Sequence, residues 1–316
     1  MGHEPMTQVD TIIEGLKQRE PRAIARAISM VEDNADSTAA IMASLDTSRI
    51  EASVVLGITG PPGAGKSTLT NQLIQRYRAR SERVGIIAID PSSPVSGGAL
   101  LGDRIRMMQH AVDPDVIVRS MASRGRLGGL CGAAGAVVRI MAASGCSPII
   151  IETVGVGQSE MDIIRLADIT VLVLAPGQGD DIQAMKAGLL EVADLLIVNK
   201  ADCPGAQALA MDLEGAVRRN GTRQTPICLT AANTGDGIDG VIATLEILAA
   251  DYLQTGEIHK RRRQSRHHET LDWTMEYLRP RLLDMIKTAA DHEQSDPQTV
   301  AKKIMGKIFP AGGPGS

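Results

Sequence analysis

The sequence predicts an α/β protein built on a mostly parallel, doubly wound sheet, with helical segments before and after it. Three observations carry that expectation. First, short apolar runs recur between about residue 51 and residue 250, each followed by a Gly- or Asp-bearing loop and a stretch of helical spacing. Second, the runs at 54–58, 84–89, 116–118, 149–151, 171–174, 195–198 and 227–229 are continuous rather than alternating. Strands of a parallel sheet, covered on both faces, need that continuity. Third, a Gly-rich loop separates the first run from the helical stretch behind it, as at the first turn of a nucleotide-binding sheet. Strands alternating with helices imply right-handed crossovers, and such sheets bind ligands beyond the C-terminal strand ends.

The outer zones read differently. Residues 1–50 show helical spacing in Ile12, Ile13 and Leu16, then in Ile24, Ile28 and Val31, with Pro21 placed to open a second helix. Residues 34–37 read as the break before a third. From about 251 the chain turns charged and helical: Lys260 to Arg263 form a basic run, and Trp273, Tyr277, Leu278, Leu282 and Ile286 follow. Another short helix is expected after Pro297. The expected organisation is therefore a helical extension (1–50), a central α/β domain (51–250) and a helical C-terminal region (251–316).

Composition excludes some classes. With 33 basic against 37 acidic residues and five aromatics, the chain offers neither the charge nor the stacking platforms of a nucleic-acid binder. Four scattered cysteines, with no CxxC pair, fit a reducing compartment and mostly buried thiols. No apolar run approaches the roughly 18 residues that a membrane helix needs. No charged-then-apolar leader opens the chain, so a cytoplasmic location is expected.

The strongest chemical signal is Gly60-Pro61-Pro62-Gly63-Ala64-Gly65-Lys66-Ser67, with Thr68 next in the same helical turn. It matches the phosphate-binding pattern G-x-x-x-x-G-K-[ST], and the preceding strand and following helix supply the right context. Its glycines let backbone N–H groups converge on phosphates, and the new helix turns its positive end to the same charge. Lys66 is expected on the β- and γ-phosphates and the Ser67 hydroxyl on magnesium. The loop marks a P-loop nucleotide hydrolase.

Phosphate binding does not choose the base. Asn199-Lys200-Ala201-Asp202 does, because it follows a strand and fits the guanine-reading pattern N-K-x-D. A carboxylate at Asp202 can accept from both N1–H and the 2-amino group of guanine. Adenine offers neither and would leave that charge unpaired. Asn199 would hold base and loop, and the Lys200 stem would lie along the ring. Thr230-Ala231-Ala232, after the last strand, occupies the usual place of a loop whose backbone N–H reaches the guanine oxygen. GTP with magnesium is the expected ligand, in a G domain.

Two strand-end acids are candidates for the metal: Asp90, and Glu152, which stands three residues before Gly155. Glu152 occupies a Walker-B position and Gly155 could offer its N–H to the γ-phosphate. The acids would act directly or through water, or either could simply cap the next helix. The Pro-, Ser- and Gly-rich loop 90–104 reads as a nucleotide-ordered switch, with Asp103 as a metal-linked residue and Arg104 facing phosphate or solvent.

The loop 90–104, the string E-T-V-G-V-G-Q-S-E at 152–160 and the segment Gly179-Asp180-Asp181-Ile182-Gln183-Ala184-Met185-Lys186-Ala187-Gly188 together resemble the MeaB/ArgK family. The resemblance spans most of the chain. It implies a GTPase of the metallochaperone-related class that chaperones an adenosylcobalamin-dependent acyl-CoA mutase, gating cofactor loading and protecting or reactivating the enzyme. It further implies homodimerisation through the C-terminal region. By the same resemblance Lys66, Asp90, Asp103 and Glu152 form the catalytic and magnesium centre with Ser67, and 152–160, including Gln158, is a second switch. Segment 178–188 becomes a third switch facing the mutase, with Asp180, Asp181, Gln183 and Lys186 coupling the two proteins. Without the resemblance, 178–188 reads as an acid-capped helix start after a Gly turn. Metal-inserting relatives carry Cys or His clusters, which this chain lacks; His259, His267 and His268 read as a solvated helix face. A kinase is the other alternative, and the guanine pattern disfavours it.

Overall fold

The structure, a computed structural model, describes residues 7–33, 36–90, 113–122, 133–153, 159–177, 188–219, 225–288 and 296–309. Four helices come first: α1 (Gln8–Lys17), α2 (Pro21–Glu32), α3 (Thr38–Ala43) and α4 (Thr47–Ala52). Thr7 and Asp10 form a capping box on α1: Asp10 N–H donates to the Thr7 hydroxyl at 3.2 Å, and Thr7 N–H donates to the Asp10 carboxylate at 2.9 Å. Pro21 stands at the first position of α2, where its missing N–H costs nothing.

Apart from β2 and β3, whose connection lies outside the described residues, the central domain then alternates strand and helix: β1 (Val55–Thr59), α5 (Lys66–Ala79), β2 (Arg83–Asp90), β3 (Val116–Ala122), α6 (Ala133–Ala143), β4 (Cys146–Thr153), α7 (Ser159–Leu166), β5 (Ile169–Leu174), α8 (Leu189–Val192), β6 (Leu195–Val198), α9 (Ala206–Arg219), β7 (Ile227–Leu229) and α10 (Ile238–Thr255). All seven apolar runs are strands. They pair in parallel in the order β3-β2-β4-β1-β5-β6-β7. Every residue of β1, β5 and β6 is buried, as continuous apolar runs require of a sheet covered on both faces. On one face Leu56, Ile58, Val171 and Val173 meet Leu69 and Leu73 of α5 and Val241 and Leu245 of α10. On the other, Leu172, Leu174, Leu196 and Val198 meet α8 and Leu209 and Leu213 of α9. Gly57 faces α7 so closely that a Cβ there would lie 2.5 Å from Ile163. The N-terminal helices are no separate body: α2 and α4 pack on α6.

The chain divides into two compact units, one ending at Arg266 and the other starting at His267. That division falls within α11 (Glu257–Thr288), which is followed by α12 (Pro297–Ile308), capped by Asp296. In the second unit Trp273 stacks on Tyr277 with ring centroids 5.9 Å apart, and Leu271, Met275, Tyr277 and Leu283 are exposed.

The basic run at the start of α11 departs from expectation. His259, His267 and His268 are exposed, but Arg261 and Arg262 turn inward onto two aspartates that immediately precede strands. Arg262 Nε and Nη2 donate to Asp168 at 2.8 and 2.6 Å, and Asp168 also accepts the Val55 N–H at 2.9 Å. Arg261 donates to both oxygens of Asp194 at 2.6 and 3.0 Å; the same carboxylate accepts the Thr170 N–H at 2.7 Å and the Tyr252 hydroxyl at 2.8 Å. Asp168 and Asp194 are buried, so each charge is neutralised where the strands begin, at the edge opposite the loops described below.

The thiols also differ from expectation. Of the three described cysteines only Cys146 is buried; Cys228 is partly buried and Cys203 exposed. Small polar turns expose their side chains whatever their type, and Cys203 stands in one. Burial pushes the Cys146 thiol up to about 12. Iodoacetamide at pH 8 is expected to label Cys203 and spare Cys146 in the native protein, as read by peptide mass spectrometry. Equal labelling of the two would contradict the burial.

Candidate nucleotide-binding site

The sheet delivers β1, β4, β6 and β7 with their C-terminal ends on one edge, and those sequence-predicted residues that are described gather there. Gly60 leaves β1 with φ 143°. A Cβ on it would lie 2.1 Å from the Val173 carbonyl oxygen, so glycine is required by contact as well as by dihedral. Gly63 and Gly65 also take positive φ, and Gly65 starts α5 in the left-handed region. Behind it α5 presents its positive end to the loop. Lys66 is buried, its ammonium donating to the carbonyls of Gly60 at 2.8 Å and Pro61 at 3.1 Å. Pro61 and Ala64 are buried; Pro62, Gly63 and Thr68 are exposed.

β4 stands beside β1 with Glu152 opposite Ile58. The Ser67 hydroxyl donates to Glu152 Oε1 at 2.5 Å, joining the first turn of α5 to the strand end. A hydroxyl and a fully buried carboxylate in contact are the hard oxygen donors that magnesium takes, so the pair fits the ion expected there. Asp90 ends β2, two strands from β1. Its side chain, and the whole of Asp103, Gly155, Gln158, Asp180, Asp181, Gln183 and Lys186, lie outside the described residues.

At the other end of the site β6 leads into Asn199, which is buried and makes the central connection. Its backbone N–H donates to Leu174 O at 2.8 Å. Its side-chain amide donates to Ala64 O at 2.9 Å, and its carbonyl accepts from the Thr230 hydroxyl and the Ala232 N–H, both at 3.1 Å. One residue thus ties the phosphate loop, β6 and the loop after β7 together. The packing is tight: a Cβ on Gly65 would lie 2.2 Å from the Asn199 amide nitrogen. Lys200 follows with φ 57° and is exposed, and Asp202 is exposed beyond it. The turn is closed by Ala201 N–H to Thr230 O at 2.9 Å and Cys203 N–H to Lys200 O at 2.9 Å.

The guanine-oxygen donor is expected from the sequence in residues 230–232. In the structure those three N–H groups are engaged: Thr230 to Val198 O, Ala231 to Asp236 O and Ala232 to Asn199. Asn233 is not among the residues expected from the sequence; its side-chain amide donates to Asp202 Oδ2 at 3.4 Å. The signal was a polar residue directly after the Thr-Ala-Ala turn.

A phosphate-loop motif at a helix start and an N-K-x-D turn two strands away, on one sheet, mark a P-loop GTPase. Comparison with known proteins agrees. The family model described as methylmalonyl-CoA mutase-associated GTPase MeaB matches residues 24–291. A Pyrococcus horikoshii relative that bears a GTPase name is 45% identical over 264 residues, covering 82% of this chain and 83% of that one. The mouse protein named methylmalonic aciduria type A homolog, mitochondrial, is 31% identical over 262 residues, covering 81% of this chain and 62% of that one. A crystal structure described as an LAO/AO transport system kinase superposes with a TM-score of 0.65 over 96% of this chain and 99% of that one; at 22% identity it speaks for the fold. This chain belongs to the MeaB family of methylmalonyl-CoA mutase-associated GTPases. It binds guanine nucleotide and hydrolyses GTP. Among the described residues no helix is long and apolar enough to cross a membrane.

Proposed function

We propose that GTP hydrolysis at this site serves an adenosylcobalamin-dependent acyl-CoA mutase, timing cofactor delivery and protecting or reactivating that enzyme. The observation that carries the reading is the family match over residues 24–291, whose description names a mutase. In the site, Lys66 and the start of α5 neutralise the β- and γ-phosphates, and Asp202 reads the base. Asn199 fixes the distance between them. Ser67 and Glu152 would hold magnesium, with Asp90 and Asp103 as further acids, and the ion would supply charge neutralisation at the phosphates. Gly155 approaches the γ-phosphate, and Gln158, Asp180, Asp181, Gln183 and Lys186 carry the nucleotide state to the mutase. The exposed Leu271, Met275, Tyr277 and Leu283 of α11 support a homodimer formed through the second unit. The protein works in the cytoplasm.

The test measures GTP turnover with and without an acyl-CoA mutase from the same organism, together with cobalamin transfer into that mutase. Turnover is expected to rise when the partner is added, and loading to require hydrolysable GTP. Unchanged turnover together with nucleotide-independent loading would overturn the reading.

A further inference from the structure

Asp202 is the group expected to read guanine, yet it is exposed, and its side chain would rotate freely unless something held it. Among the described residues it accepts one side-chain hydrogen bond, from Asn233. Asn233 in turn stands on a loop that has little freedom. Thr234 and Gly235 both return their N–H groups to Ala231 O, at 3.0 and 2.9 Å. The Thr234 hydroxyl bridges to Ala231 O at 3.1 Å and to Asp236 Oδ2 at 2.7 Å. Gly237 closes the loop against β7, where a Cβ would lie 2.2 Å from Leu229 O. In the run from Thr230 to Gly235, Asn233 is the residue whose backbone N–H has no partner among the described residues.

We propose that Asn233 is a specificity-determining positioning residue for guanine: its side-chain amide holds one oxygen of Asp202 so that the carboxylate meets the N1–H and the 2-amino group together. The assignment rests on the guanine-nucleotide reading of Asp202. A bidentate contact needs the carboxylate plane set in advance, because a rotating group loses freedom on binding that a held one has already lost. Hypoxanthine nucleotides, which lack the 2-amino group, use one of the two contacts and gain less from the restraint. Asn233 therefore contributes to choosing guanine over hypoxanthine, and acts through Asp202 rather than on the phosphates.

The experiment compares GDP and IDP binding, by competition against a fluorescent GDP, in wild-type protein, Asn233→Ala and Asn233→Asp, with steady-state GTP and ITP turnover alongside. Asn233→Ala is expected to lower the GDP-over-IDP preference by about three- to tenfold, the cost of ordering one side chain. The KM for GTP should rise while kcat holds. Asn233→Asp keeps the side-chain shape but sets like charges together, and its preference should fall further. A purely structural tether would weaken GDP and IDP equally and leave the preference intact. A wild-type preference retained in both variants overturns the assignment alone. Wild-type protein that binds GDP and IDP alike overturns the guanine reading of Asp202, and the assignment with it.

Discussion

Replacing Lys66 with alanine is expected to slow GTP hydrolysis by a factor on the order of 10²–10³, the loss typical of one charge-stabilising donor in a water-poor site. Lys66 is the one cationic side chain between Gly60 and Thr68. Its ammonium is buried against the Gly60 and Pro61 carbonyls, inside the curve where the phosphates are expected. Within residues 60–68 no other side chain can take over, since the rest of that loop offers backbone N–H groups and hydroxyls. Affinity for GDP should fall too, because the ammonium meets the β-phosphate before hydrolysis begins. Lys66→Arg should not restore the rate: a planar fork cannot enter a loop shaped for a compact point charge. Single-turnover hydrolysis and nucleotide titration measure both effects. A Lys66→Ala protein that hydrolyses GTP at the wild-type rate would remove this residue from the site.

The second large effect concerns stability. Arg262→Met leaves the buried Asp168 carboxylate without its guanidinium and is expected to cost about 3–5 kcal/mol. Arg262 also donates to the Ile50 and Ser53 carbonyls, at 3.0 and 2.6 Å, so the chain entering β1 loosens together with β5. Adding Asp168→Asn should recover more than half of the loss. The amide oxygen still accepts from Val55, and no charge remains to be compensated. Urea unfolding followed by far-ultraviolet circular dichroism reads the change. Circular dichroism is the probe because the single tryptophan, Trp273, belongs to the other compact unit and does not report on the sheet directly. A single-variant loss below about 1 kcal/mol, the range of exposed pairs, would contradict a buried pair.

These two residues mark where the sequence was legible and where it was not. The phosphate loop could be read because its chemistry is local: nine consecutive residues carry glycine geometry, ammonium and hydroxyl, and the apolar run before them predicts β1. The strands were equally plain, since burial on both faces leaves continuous apolar runs. Arg262 and Asp168 stand 94 residues apart, and no periodicity links them. A basic run on a helix reads as a solvated face until the surface it lies on is known. One trace was available: Ala167-Asp168 and Ala193-Asp194 each place an acid directly before an apolar strand, where a charge must find a partner. Asn233 escaped for a similar reason, since its role depends on a turn 31 residues earlier. Asp103 is read from its Pro-, Ser- and Gly-rich loop, and Gln158, Asp180, Asp181, Gln183 and Lys186 through family resemblance; all six lie outside the described residues.

Asn199 has a consequence for how the ligand is perceived. Its amide grips the phosphate loop while its carbonyl grips the loop after β7, so a shift of either half strains the same side chain. Guanosine and pyrophosphate, offered separately, should each bind far more weakly than their share of the joined molecule's affinity suggests. The protein measures a length: the span from base to phosphate in a single nucleotide, set by one amide shared between two loops.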